Sequence, residues 1–242
     1  MKSPRTTGRV AEARTPLPIV CLPGIRGDRR VFSPLIDVAG AESLLVPLDL
    51  PPGAPALAAA RLLPHLPAGP VHLLTGSYGG LVARFLPPQR IASLACIGTL
   101  PAPTFLDPHL VRRAQGLLAL PDGIMARLYG IYGRRSLQRE GVPEAVVTAL
   151  CDQPLSARSL RGRLRAVLSG HHGVVPPVSC AWIHGSEDAQ IRWTEAQLRA
   201  AVPGVTCLEV DGGHFPHATH PALLWRTLRD EWWAGRSALA QR

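Results

Sequence analysis

The sequence predicts an α/β protein: a mostly parallel sheet of about six strands with helices on its faces and one long helical insertion. Two observations carry that prediction. Short apolar runs ending in Gly, Pro or Asp alternate with helical patterns, the arrangement a parallel sheet requires. The alternation then breaks once, for about 75 residues between Leu100 and Pro177, where helical patterns continue without a convincing strand.

The strand candidates are Pro18 to Leu22, Ser43 to Leu48, Val71 to Thr75, Ser93 to Gly98, Val178 to His184 and Val205 to Val210. Helices are expected at Phe32 to Val38, Pro55 to Leu63, Tyr78 to Leu86, Thr194 to Ala201 and Pro221 to about Ala234. In the last of these Pro221 suits a first helical position, and Leu224, Leu228 and Trp232 form one buried stripe. Pro47 places its strand at a sheet edge, because proline cannot donate to a ladder. In the insertion Leu117, Leu118, Ile124, Leu128, Ile131 and Tyr132 are expected to share an apolar face. The resulting division is a flexible tail over 1–17, a core over 18–100 and 177–242, and a helical insertion over 101–176.

Composition narrows the class. Of 242 residues, 46% are hydrophobic and 18% charged, enough to bury a sizeable core, and no apolar run approaches the roughly 20 residues of a membrane span. The first 18 residues lack an apolar signal segment, and the five cysteines form no Cys-x-x-Cys pair, so a reducing cytoplasm is the expected compartment. The formal charge is +9, carried almost entirely by arginine, Lys2 being the sole lysine. An Arg-, Ala- and Pro-rich composition accounts for that charge without a nucleic-acid partner, and none is expected.

The chemistry concentrates in three places. In VHLLTGSYGG, Val71 to Gly80, a strand runs directly into Ser77, with Gly76 before it, Gly79 and Gly80 after it, and a helix at once. Such a turn lifts a strained serine above a sheet, and the glycine spacing does not fit a dinucleotide fingerprint. The usual spelling is Gly-x-Ser-x-Gly, and Thr75 takes the first small position. A serine needs a base, and His214 stands in DGGHFPH directly after the last strand. The base needs an acid, and Asp188 stands in HGSED past the preceding strand, with Glu187 beside it as a competitor and Asp107 as a further alternative.

The chain order Ser77, Asp188, His214, each after a strand, resembles that of the α/β-hydrolase family over residues about 18 to 100 and 177 to 235. That resemblance implies Ser77 as nucleophile, Asp188 as acid and His214 as base, with the insertion as a cap. It makes Leu22 to Ile25 the oxyanion loop, with the backbone N–H groups of Ile25 and Tyr78 as donors. The family's opening antiparallel strands have no counterpart in the short tail. The function implied is hydrolysis of a small-molecule carboxylic ester through an acyl-enzyme, without cofactor or metal. His214, His217 and His220 are spaced three apart, but no carboxylate or Cys cluster adjoins them. His171 and His172 read as an exposed loop.

Two alternatives remain. From Pro101 to Gly170 ten arginines face five acids. Arg134, Arg135, Arg139, Arg158 and Arg161 could therefore dock an acyl carrier protein or a CoA-linked substrate. This would resemble the pimeloyl-carrier-protein methyl ester esterases in architecture and charge. Arg26 is a candidate contact for an anionic substrate. The other alternative is a non-catalytic binding protein on the same fold, favoured only by Thr75.

Overall fold

The computed structural model describes residues 17–233 except 42, 154, 170–172 and 192. Nearly all of the expected tail and the His171-His172 pair thus lie outside the described residues. Within them the sheet has six parallel strands in the order β2-β1-β3-β4-β5-β6. These are β1 (Ile19–Leu22), β2 (Leu45–Pro47), β3 (Val71–Gly76), β4 (Ile91–Ile97), β5 (Ser179–Gly185) and β6 (Thr206–Val210). Each expected strand is present within a few residues, and β2 with Pro47 is an edge strand.

The strands run apolar on both faces because helices cover both. One face buries Val20, Leu73, Leu94 and Trp182 against helices α2 (Pro55–Leu62), α3 (Tyr78–Ala83) and α8 (Glu195–Ala201). The opposite face buries Cys21, Leu74, Ala95 and Ile183 against α1 (Ser33–Ala39) and α10 (Pro221–Thr227). Alternate residues of a strand thus feed alternate layers. Each fully buried Leu, Ile or Val contributes about 1.5–3 kcal/mol relative to exposure.

Thr194 caps α8 with a reciprocal capping box, Thr194 accepting from the Gln197 N–H while the Gln197 side chain accepts from the Thr194 N–H. The final expected helix is α10 followed by a π-helical turn, Leu228–Trp233, and its stripe of Leu224, Leu228 and Trp232 is buried. A short helix that the sequence reading omits, α9 (Pro216–Thr219), starts at Pro216 directly after the His214 loop.

Among the described residues four α-helices lie between β4 and β5: α4 (Pro108–Leu118), α5 (Asp122–Arg139), α6 (Glu144–Cys151) and α7 (Ala157–Ser169). The expected apolar face is not continuous. Ile124, Ile131 and Tyr132 are exposed, Tyr132 by 57%. The buried centre of these helices is instead Met125, Leu160 and Leu164, with Leu117 and Leu118 against it. Helices α4, α5 and α7 pack against one another, so the inward stripe lies where the three meet and not along one face of α4 and α5. Leu137, Val146 and Leu150 of α5 and α6 join the sheet's second layer.

Candidate active site

Ser77 sits between β3 and α3 with φ +46°, the one non-glycine residue with positive φ among the described residues. That strain persists only because neighbours over-determine it. The Ser77 N–H donates to the Ile97 carbonyl at 2.7 Å, and the Ser77 carbonyl accepts from the Thr99 hydroxyl at 3.0 Å. Close approach explains Gly79: a Cβ there would lie 2.5 Å from the Leu22 carbonyl oxygen, so the helix meets the end of β1 only without one. Thr75 fits despite its size. It is fully buried, and its hydroxyl donates to the Ala95 carbonyl at 3.3 Å on the adjacent strand.

The loops after β5 and β6 bring Asp188 and His214 together. His214 Nδ1 lies 2.8 Å from Asp188 Oδ2, with both side chains almost wholly buried. An ionised carboxylate only accepts, so Nδ1 carries the proton and Nε2 keeps its lone pair. Asp188 Oδ1 accepts from the N–H groups of Gln190 (2.7 Å) and Ile191 (3.2 Å). Burial alone would raise the Asp188 pKa, but the His214 charge and these donors hold it below the usual carboxylate value. Burial likewise pushes His214 down, yet the Asp188 charge and hydrogen bond, joined by the charge of Glu140, leave its pKa above that of a free imidazole.

A cavity of about 680 Å³ brings Ser77 and His214 into one lining. Ser77, Tyr78, Ile25 and His214 line its floor, and Leu117, Leu128, Tyr132, Arg113, Arg135 and Arg139 of α4 and α5 line its wall. Its surface is mainly apolar. Asp28, an acid in the lining, is neutralised by Arg30 at 2.5 Å.

The remaining sequence candidates are placed as follows. Glu187 is exposed, whereas Asp188 is buried against the histidine. Asp107 caps α4, accepting from the His109 N–H at 2.8 Å. Arg26 lines the cavity, but its guanidinium donates to the Leu150 carbonyl at 2.6 and 3.1 Å, which ties the loop after β1 to α6. His217 is buried against Phe32, and burial pushes its pKa down to about 3. No cluster of three or more His, Cys, Asp or Glu suited to a metal occurs among the described residues. Nor does any helix among them have the length and apolarity to cross a membrane.

The five arginines expected to dock a carrier differ in what they touch. Arg134 pairs with Glu144 and Asp152, and Arg161 with Asp122 at 2.7 Å. Arg161 also donates to the carbonyls of Leu118 and Leu120, so it fastens α4 to α7. Arg158 is exposed on α7, and only Arg135 and Arg139 of the five line the cavity.

Two residues escaped the sequence reading. Arg163 on α7 is 1% exposed, donates to the carbonyls of Ile25, Leu50 and Pro51 at 2.6–3.0 Å, and lies over the Tyr78 ring. Its sequence signal is phase: Arg163 shares the helical stripe of Leu160 and Leu164. The Glu140 carboxylate, at the end of α5, accepts from the His214 N–H at 2.5 Å.

Solved structures of similar fold include an esterase from Thermogutta terrifontis, 20% identical, with 91% of this chain and 90% of that one covered at TM-score 0.67. The enol-lactonase from Burkholderia xenovorans LB400 is 18% identical, with 90% and 92% covered at TM-score 0.63. The thioesterase domain from the curacin biosynthetic pathway is 17% identical, with 88% and 91% covered at TM-score 0.61. No curated protein matches the sequence. The sequence model of the alpha/beta hydrolase family matches residues 19–227, which span all six strands and the loops carrying Ser77, Asp188 and His214, and the chain belongs to that family.

Proposed function

We propose that the protein hydrolyses a carboxylic ester through an acyl-enzyme on Ser77. The observation that carries this reading is that His214, held by the buried Asp188 at 2.8 Å, lines the same cavity as Ser77. With Nδ1–H held by Asp188, the Nε2 lone pair takes the Ser77 proton as Oγ bonds to the ester carbon. The carbonyl electrons move to oxygen, where the N–H groups of Ile25 and Tyr78 receive them. Tyr78 opens α3, so its N–H has no intrahelical partner. Each such donor is worth about 3 kcal/mol in the transition state. Collapse breaks the carbon–oxygen bond to the alcohol, which leaves with the proton from Nε2. Water then repeats the sequence on the acyl-Ser77, releasing the acid and restoring the serine. The apolar wall suits an acyl chain of medium length over a sugar or phosphate.

A second reading is favoured by Arg113, Arg135 and Arg139, which line the cavity, are exposed and have no ion-pair partner among the described residues. Their charge suits an acyl group delivered on an anionic carrier, acyl carrier protein or CoA.

A panel of esters and thioesters of graded chain length, assayed at low and high salt, tests both. Turnover by the wild type and a loss of at least roughly 10³-fold in Ser77→Ala are expected. Turnover of carrier-linked substrates that falls with salt, beside small neutral esters that do not, supports the second reading. No turnover of any member by the wild type favours a non-catalytic binding protein.

A further inference from the structure

We propose that Glu140, contributed by the inserted helices, is a positioning residue for the catalytic base: its carboxylate fastens the His214 loop to the Asp188 loop. The inference rests on the hydrolase reading above. One carboxylate oxygen accepts from the His214 main-chain N–H at 2.5 Å, and the other accepts from the Gln190 side chain at 3.2 Å. Gln190 in turn donates its own N–H to Asp188 Oδ1 at 2.7 Å. Glu140, Gln190, Asp188 and His214 therefore close a ring of hydrogen bonds that joins the end of α5 to both catalytic loops.

Two features argue that this contact is specific. Glu140 caps the C-terminus of α5, where the helix dipole disfavours an anion, so helix stability alone selects against it. Gly213 leaves it room: a Cβ there would lie 2.6 Å from the Glu140 carboxylate, and any larger residue would push the acid away from the His214 amide. The charge also acts through space. The charged and titratable groups facing the His214 ring are Asp188 from the β5 loop, Glu140 from α5 and His217 from α9, with the arginines of the shared cavity beyond them. Asp188 and Glu140 favour the imidazolium that forms during acyl transfer, whereas His217, buried and neutral, offers no stabilising charge.

Glu140→Gln keeps the size and an acceptor oxygen but removes the charge, and Glu140→Ala removes both. On an ester whose turnover depends on Ser77, Glu140→Gln is expected to move the acid limb of the kcat/KM profile to lower pH. Glu140→Ala is expected to lose in addition between roughly tenfold and a hundredfold in kcat with little change in KM. A merely structural residue would lower the unfolding midpoint while leaving profile and kcat at wild-type values, and that result would overturn the proposal. The same comparison is made without turnover by following the His214 imidazole by NMR in the Ser77→Ala background. A lower titration midpoint on Glu140→Gln supports positioning even where no hydrolysis is detected, and an unchanged midpoint refutes it.

Discussion

The sheet and the inserted helices are held by different forces. Across the sheet, strand residues such as Val20, Leu94 and Ile183 are buried in alternate layers, and register follows from which face each apolar side chain must reach. The inserted helices have only a small apolar centre around Met125, Leu160 and Leu164. They meet the sheet's second layer through Leu137, Val146 and Leu150, and polar side chains that seek main-chain groups add a second kind of attachment. Arg163 reaches the carbonyls of Ile25, Leu50 and Pro51, Arg26 reaches that of Leu150, and Glu140 reaches the His214 amide. The sheet thus brings the loops carrying Ser77, Asp188 and His214 to its carboxyl end, and the insertion touches two of those loops through Glu140.

The sharpest way to break that contrast is Arg163→Met, which fills the same stripe with an apolar chain. If polar seating dominates, three carbonyls lose a buried donor, and urea unfolding should show a loss of about 2–4 kcal/mol. Activity should fall too, because Ile25 is no longer tethered. A neutral result would mean that the insertion is seated by apolar packing, as the sheet layers are.

A smaller effect tests the sheet side. His217 is buried between Phe32 and Phe215, its Nδ1 has no hydrogen-bond partner among the described residues, and its folded pKa of about 3 lies below the unfolded value of 6.5. The unfolded chain therefore takes up the proton first, and this group's contribution to stability declines as pH falls from about 6.5 toward 3. The loss amounts to about 2 kcal/mol at pH 5. His214, whose pKa is raised, acts in the opposite sense. Comparing the wild type with His217→Leu at pH 7.5 and pH 5 isolates the His217 share. A smaller drop in the variant is expected, and equal drops would show that His217 is not held neutral.

The same contrast explains what the sequence discloses. Strands announce themselves because burial on both faces forces short continuous apolar runs, and Pro47 marks the edge because it lacks an N–H. Ser77, Asp188 and His214 are legible because each follows a strand among small residues: Gly76 and Gly79, Gly185, Gly212 and Gly213. The insertion resists such reading. Ile124 and Tyr132 look like core by residue type, yet the contacts among α4, α5 and α7 bury Met125 and Leu160 instead. Arg161 and Arg163 add to a charge count like any surface arginine, although their donors are spent on carbonyls. Glu140 is one of five acids in that count, and its partner is a main-chain N–H, which no side-chain pattern encodes.

The central claim, that Ser77 is a nucleophile activated by His214 and Asp188, is tested most directly by reaction with a fluorophosphonate and mapping of the adduct by mass spectrometry. The account predicts a single adduct on Ser77, absent from Ser77→Ala and formed at least roughly 10²-fold more slowly in His214→Gln. An unlabelled wild type, or labelling that persists in Ser77→Ala, would contradict it.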